Sequence, residues 1–82
     1  MSISEDQILK KLTEIFSDIL EVDDLQLTRN MTMADVEGWD SLANVRLMVA
    51  TEREFDIRFE TEELASVDNV GALIDFVQKK TN

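Results

Sequence analysis

The segment from Gly38 to Leu42 combines residue types that can seat and carry a phosphate group. Its sequence, Gly-Trp-Asp-Ser-Leu, follows a long polar stretch and leads into a helix-like apolar pattern. Ser41 therefore lies at a predicted helix N-terminus, where free backbone N–H groups and the helix dipole favour an anion. A phosphodiester on Ser41 would be stabilised there, although Asp40 and Glu37 partly oppose it. On the residues alone, a simple helix cap is the commoner role for such a serine.

The first element that must position this segment is an amphipathic helix. Ser4 and Gln7 have the spacing of a capping box, which predicts the N-terminus of the helix. The helix is predicted to end near Leu20 or Glu21. Its single apolar stripe consists of Ile8, Leu12, Ile15, Phe16 and Ile19. Residues 21–39 fit neither a helix nor a strand, so we expect a long loop, a kind of segment that is often functional.

A second helix is predicted to begin at Asp40 or Ser41, with Asp40 as its N-cap. Its apolar residues lie on or near one face: Leu42, Val45, Met48, Val49 and Phe55. The run from Phe55 to Phe59 alternates like a strand but has no partner strand. We therefore expect an extended connector that buries Ile57 and one or both Phe rings.

Two more helices are predicted after this connector. Thr61, followed by Glu62, Glu63 and Leu64, indicates a short helix with an N-cap. The last helix is predicted from about Asp68 or Asn69 to Lys80. Gly71 inside it costs about 1 kcal/mol relative to Ala, a cost that close helix packing would offset.

The predicted fold class is therefore all-α, a small four-helix bundle. It has three main helices, one short helix and a long loop between helices 1 and 2. With 82 residues and no internal repeat, residues 1–82 are predicted to form a single domain. A chain of this size buries only about 60% of its unfolded surface, which leaves no room for a deep substrate cavity.

Composition excludes several classes of function. The chain has 18 Asp and Glu against 8 Lys and Arg, a net charge of −10. Such a surface disfavours nucleic acid and anionic membranes and attracts proteins with basic patches. The absence of His and Cys removes the commonest general base, thiol nucleophile and zinc ligands. No apolar run approaches the roughly 20 residues of a membrane span, and no signal peptide is recognisable, so a cytoplasmic location is expected.

Three other functions fit these features to different degrees. A calcium sensor needs alternating acids with a central Gly, and the spacing around Asp23–Asp24 and Asp35–Gly38 does not fit. An enzyme could use the carboxylates of Glu62 and Glu63, but no nucleophile or pocket accompanies them. A non-modified helical adaptor, which binds a partner through an apolar groove, stays open and predicts no modification of Ser41.

Gly38–Leu42 resembles the phosphopantetheine attachment motif of acyl carrier proteins. The resemblance extends over about residues 5–80, including residues that fall where the family pattern expects them. These are Val45, Leu47, Glu52–Phe55, Ile57, Phe59, Val70 and Leu73–Val77. The resemblance implies a non-enzymatic, monomeric carrier with 4′-phosphopantetheine attached covalently to Ser41.

In such a carrier, a phosphopantetheinyl transferase supplies the arm from coenzyme A, and the arm's thiol holds an acyl thioester. Asp40 and Leu42 flank the attachment site, and Asp40 belongs to the surface that the transferase reads. Any Mg²⁺ would serve the transferase, so no metal site is expected in this chain. Acyl-loading and acyl-processing enzymes of fatty-acid, modified-lipid or polyketide-type biosynthesis are the implied partners. The resemblance does not identify the cargo.

Helix 2 is the usual recognition face of the family, so Trp39, Arg46 and Glu52 are candidate partner contacts. Ala43, Asn44 and Arg46 stand where fatty-acid carriers favour acidic or small polar residues. This departure, together with Trp39, indicates a stand-alone carrier of a specialised pathway. Each candidate also has an ordinary alternative: Trp39 as a packed residue, which we favour, and Arg46 as a solvated charge.

Overall fold

The computed structural model describes residues 3–81, in which four α-helices are connected by irregular segments. The helices are α1 (Glu5–Leu20), α2 (Ser41–Phe55), α3 (Thr61–Ser66) and α4 (Val70–Thr81). Within the described residues there is no strand, only an isolated antiparallel bridge between Thr32 and Asn69. The all-α four-helix fold with a long first loop is therefore confirmed. Residues 1, 2 and 82, the ends of the predicted single domain, lie outside the described residues.

Both ends of α1 follow from local sequence signals. The backbone N–H of Gln7 donates to the Ser4 hydroxyl at 3.2 Å, and the Ser4 N–H donates to the Gln7 side chain at 3.1 Å. This reciprocal pair is the predicted capping box. At the other end, Glu21 adopts a left-handed conformation with φ of 54° and donates its N–H to the Ser17 carbonyl. The predicted limits of α1 are confirmed.

The core lies between α1, α2 and α4, and α1 packs against both of the other helices. The fully or almost fully buried apolar side chains of these helices are Ile8, Leu12, Phe16, Leu47, Met48, Val70, Leu73, Ile74 and Val77. Burial of one such side chain contributes about 1.5–3 kcal/mol to stability. The three longer helices therefore form one rigid support for the start of α2.

The long loop is attached to the N-terminus of α4 through backbone hydrogen bonds. The N–H of Val70 donates to the Met31 carbonyl at 2.8 Å, and the N–H of Gly71 donates to the Arg29 carbonyl at 3.0 Å. A Cβ atom at Gly71 would lie 3.0 Å from that same Arg29 oxygen. Gly71 therefore permits a close approach, but to the backbone of the loop rather than to another helix.

Trp39 ends the loop inside the core. Its side chain is only 3% exposed, and its ring packs edge-on against Phe16 with centroids 5.0 Å apart. The indole N–H donates to the buried side-chain oxygen of Asn44 at 2.9 Å. Of the two interpretations of Trp39, the structure shows packing. The ring is covered by the protein itself, which supports the packing interpretation that we favour over a partner contact.

The connector after α2 has no regular secondary structure over residues 57–60, and it begins one residue later than predicted. Phe55 is the last residue of α2, and Asp56 caps the helix in a left-handed conformation. The N–H of Phe59 donates to the Glu52 carboxylate at 2.8 Å. The Phe59 ring is buried and packs edge-on against Phe76 at a centroid distance of 6.2 Å. The connector therefore adds one aromatic ring to the core.

The predicted limits of the last two helices are correct to within two residues. Glu60 occupies the N-cap position of α3, and Thr61 is the first helical residue. Helix α4 runs from Val70 to Thr81 rather than from Asp68 or Asn69 to Lys80. Its start is displaced because the Asn69 side chain accepts the N–H of Ala72 at 2.7 Å and so caps the helix.

An ion pair fastens α3 to the last turn of α4. The Lys80 ammonium lies 2.8 Å from the Glu63 carboxylate, which also accepts the N–H of Glu60 at 2.8 Å. The Lys80 hydrogen bond, and then the Glu60 N–H, lower the pKa of Glu63 below its usual value of 4.5. Both partners are largely covered, with side-chain exposures of 23% and 19%.

Removing the amide of Asn44 should destabilise the protein because the buried indole N–H of Trp39 loses its acceptor. Asn44→Ala should lower the free energy of unfolding by about 1–3 kcal/mol, measured by urea denaturation. In a Trp39→Phe background the same change should cost clearly less, since a phenyl ring has no N–H to satisfy. An equal cost in both backgrounds would contradict a stabilising role for this hydrogen bond.

Glu63→Gln should unfold at a lower urea concentration than the unmodified chain at pH 7. Because folding lowers the pKa of Glu63, its stabilising contribution is present above the usual value of 4.5 and is lost as the pH falls through the folded value. The difference in urea midpoint should therefore shrink as the pH is lowered further below 4.5. Glu62→Gln is the control, since that exposed neighbour forms no ion pair with residues 3–81. A difference that is independent of pH would refute this role of the pair.

Candidate functional site

Ser41 is the first residue of α2, and its side chain is exposed. The residue before it, Asp40, is extended, with φ of −120° and ψ of −174°, so the chain turns into the helix at this point. The Ser41 hydroxyl is therefore carried on the first turn of a helix that is fixed to the core farther on. Solvent, or another protein, has direct access to it.

Asp40 is the N-cap of α2, as predicted. Its carboxylate accepts the N–H of Ala43 at 2.8 Å, and its backbone carbonyl accepts the N–H of Asn44 at 2.8 Å. The N–H groups of Ser41 and Leu42 have no partner within the helix, as in any first helical turn. Helix α2 has no acidic residue in that turn. The electrostatics at Ser41 therefore favour a phosphate group, with the Asp40 carboxylate as the nearest opposing charge along the chain.

Gly38 sets the direction in which the chain reaches this site. Its φ is +88°, a conformation that residues with a side chain rarely adopt. The position of a missing Cβ faces Leu20 at the end of α1, at 3.7 Å. Gly38 turns the backbone, and Trp39 then anchors it, so the start of α2 is fixed from both sides.

The three predicted partner contacts differ in how exposed they are. Arg46 is exposed on α2, whereas Trp39 is buried. Glu52 is partly buried, and its carboxylate accepts the N–H of Phe59 at 2.8 Å. Leu42, which flanks the attachment site, is 76% exposed. Leu42 and Arg46 are thus available to another molecule, while Glu52 has a contact within the chain.

The predicted apolar face of α2 is not the face that the structure buries. Val45 and Val49 are 61% and 43% exposed, so they lie with Leu42 on the surface. The buried face of the helix consists of Asn44, Leu47, Met48 and Thr51. Sequence reasoning missed Val45 and Val49 as surface residues because it assigned apolar side chains to the core. The available signal was the spacing of 3, 1 and 3 between the four buried residues, two of which are polar.

The geometry fits a covalently attached phosphopantetheine arm. The arm needs an accessible hydroxyl and a position that tolerates a phosphodiester, and Ser41 offers both. In the described part of the chain, no group of three or more Asp or Glu side chains is arranged to hold a metal ion. None of the helices in residues 3–81 is both long enough and apolar enough to cross a membrane.

Comparison with known families gives a match over most of the chain. The family model described as "Phosphopantetheine attachment site" matches residues 10–77, which include the segment Gly38–Leu42. The acyl carrier protein of Thermotoga maritima is 32% identical over 77 residues, covering 94% of this chain and 95% of that protein. The acyl carrier protein of Petrotoga mobilis is 32% identical over 80 residues, covering 98% and 94%.

A solved structure shares the fold. The solution NMR structure of holo acyl carrier protein from Geobacter metallireducens superimposes with a TM-score of 0.82 and is 40% identical. The alignment covers 89% of this chain and 84% of that one. Family, relatives and fold agree on a carrier that bears covalent phosphopantetheine and catalyses no reaction itself. The chain therefore belongs to the phosphopantetheine-binding family of acyl carrier proteins.

Proposed function

We propose that Ser41 is the residue that bears the 4′-phosphopantetheine arm. The observation that carries this proposal is the exposed hydroxyl of Ser41 on the first turn of α2. The free N–H groups and dipole of that turn stabilise the phosphodiester of the arm. A carrier also needs its attachment point at the surface, where enzymes reach it, and on a rigid element.

The chain's own residues act as a support rather than as reactants once the arm is attached. The arm supplies the thiol that holds an acyl group as a thioester; the chain has no Cys of its own. Asp40 holds the first turn of α2 in place through its bond to Ala43. Trp39 and Asn44 hold the segment before Ser41 against the core. The attachment point therefore stays fixed while the arm moves.

The proposed partners are a phosphopantetheinyl transferase and the enzymes that load and process the acyl group. A net charge of −10 attracts enzymes with basic surface patches and raises the rate of encounter at low salt. Ala43 and Arg46 on α2 support a stand-alone carrier of a specialised fatty-acid, modified-lipid or polyketide-type pathway over a housekeeping carrier. We propose that residues 1–82 work as one domain, as a monomer in the cytoplasm.

Loading in solution tests the attachment site. The purified chain is incubated with coenzyme A, Mg²⁺ and a broad-specificity phosphopantetheinyl transferase, and the intact mass is measured. The unmodified chain should gain one phosphopantetheine, and Ser41→Ala should gain none, because only the Ser41 hydroxyl is carried at the start of α2. The measurement is the mass of the whole protein before and after the reaction.

Ser66→Ala is the matched control for this experiment. Ser66 is also an exposed serine on a helix, but it is the last residue of α3. This variant should load like the unmodified chain. If the folded chain gains no mass with several transferases, the proposal fails and a non-modified helical adaptor becomes the better account. If Ser41→Ala still loads, the arm is attached elsewhere.

Two substitutions at Asp40 separate its capping role from its role in recognition. Asp40→Ala should lower the free energy of unfolding by about 1 kcal/mol, whereas Asp40→Asn should change it by a few tenths, since Asn is also a good N-cap. If the transferase binds the charge of Asp40, Asp40→Asn should lower kcat/KM for loading about tenfold while stability is kept. Loading of Asp40→Asn at the unmodified rate would show that Asp40 is only a cap.

A further inference from the structure

The exposed large apolar side chains of residues 3–81 all lie on one helix. They are Leu42, Val45 and Val49, with exposures of 76%, 61% and 43%. Their spacing of three and four residues places them in one stripe along the outer side of α2. The stripe begins at the residue after Ser41. An apolar stripe beside the attachment point is expected to be covered by another protein when that protein acts on the arm.

Two cations accompany this stripe. Arg46 and Arg53 are exposed and lie four residues after Leu42 and Val49, which places them on the same side of α2. A shallow groove beside the stripe is completed by Ile19 of α1 and is lined by both arginines and by no carboxylate. This groove is therefore apolar and positive, although the protein as a whole carries a net charge of −10. Carboxylates lie only beyond it, with Asp40 in the depression beside Leu42 and with Glu52 and Asp56 in the one beside Arg53.

The carboxylates of α2 form a hydrogen bond and an ion pair within the chain, whereas these two arginines form no ion pair with residues 3–81. Glu52 accepts the N–H of Phe59 at 2.8 Å, and Glu54 pairs with Lys11 at 3.2 Å. Within residues 3–81, Arg46 and Arg53 form no ion pair. The fold thus holds the negative charges of α2 in contacts of its own and leaves the two positive charges for another molecule.

The pattern is that of a helix-pairing surface. In a heptad written abcdefg, Leu42, Val45 and Val49 occupy positions a, d and a, and Arg46 and Arg53 occupy successive e positions. Positions a and d pack against a partner helix, and charges at e pair with opposite charges on that helix. A second copy of this chain would bring the same arginines together, so charge repulsion disfavours it as the partner.

We propose that the outer side of α2 docks an acidic amphipathic helix of the enzymes that act on the arm. This inference rests on the proposed carrier function and specifies the chemistry of its partners. The partner helix has an apolar stripe flanked by carboxylates that face Arg46 and Arg53. The net negative charge of the chain attracts basic regions of the same enzymes over longer distances, whereas contact at α2 requires carboxylates. Three apolar side chains make a small interface, as expected for transient binding.

A pair of synthetic peptides tests this docking surface. Each is a hydrocarbon-stapled helix with Leu at the a and d positions; one has Glu at the e and g positions, and the other has Lys. They are titrated into the ¹⁵N-labelled full chain at about 0.15 M salt, where charges farther apart than about 8 Å are largely screened. The Glu peptide should shift the amide signals of Leu42 to Arg53 and bind about tenfold more tightly than the Lys peptide.

Charge reversal on the protein gives the matched comparison. In Arg46→Glu with Arg53→Glu, the preference should change to the Lys peptide. Lys10→Glu with Lys79→Glu makes the same change in net charge at two exposed cations of α1 and α4 and should leave the preference for Glu intact. The peptide comparison on the unmodified chain does not depend on either variant being folded.

Three results would overturn the proposal: a Lys peptide that binds the unmodified chain as tightly as the Glu peptide or more tightly, shifts confined to residues other than those of α2 and Ile19, or no α2 shift with either peptide at about 1 mM. Failure of the carrier function is a separate result, because neither peptide involves Ser41. Loading of Ser41, followed by intact mass, is measured on the same protein sample. A chain that loads but does not bind the Glu peptide is still a carrier, with partners that contact it elsewhere.

Discussion

The burial of Trp39 fixes the position of Ser41, which follows two residues later and is exposed. Its ring packs against Phe16 in the core, and its indole N–H is satisfied by Asn44, one turn into α2. An indole N–H buried without an acceptor would cost about 1–3 kcal/mol, so ring and amide hold each other in place. The segment between them contains Asp40 and Ser41, which are exposed. An accessible hydroxyl is therefore held at a defined place by a contact that solvent does not reach.

Reciprocal hydrogen bonding also holds the long loop before Trp39 in place. A loop of this length carries many backbone groups that need hydrogen-bond partners. Two of its carbonyls, those of Arg29 and Met31, accept the N–H groups of Gly71 and Val70. These donors belong to the first turn of α4, where a helix has none of its own acceptors. Loop and helix end thus satisfy each other, and the loop needs no regular structure to stay in place.

Local signals predicted α1 and the start of α2, because a capping box and an N-cap act within a few residues. The outer side of α2 was not predictable in this way, since periodicity assigns Val45 and Val49 to the core. The helix instead buries Asn44 and Thr51, and the Thr51 hydroxyl donates to the Leu47 carbonyl at 2.7 Å. Whether a polar side chain finds a partner inside depends on tertiary contacts. The sequence indicated Ser41 through a family motif, while the partners of Trp39 and Glu52 required the fold.

Helix α2 packs in the core with its inner side and offers its outer side to other proteins. Its inner side carries Leu47 and Met48, which are almost completely buried and keep the helix from shifting. Its outer side runs from Leu42 to Arg53, about 16 Å at 1.5 Å per residue. Because Ser41 lies at one end of that stripe, a partner helix lying along α2 would leave the attachment point uncovered. A docked enzyme would then receive the arm from a fixed end of the helix, so the proposed docking surface also sets the direction of delivery.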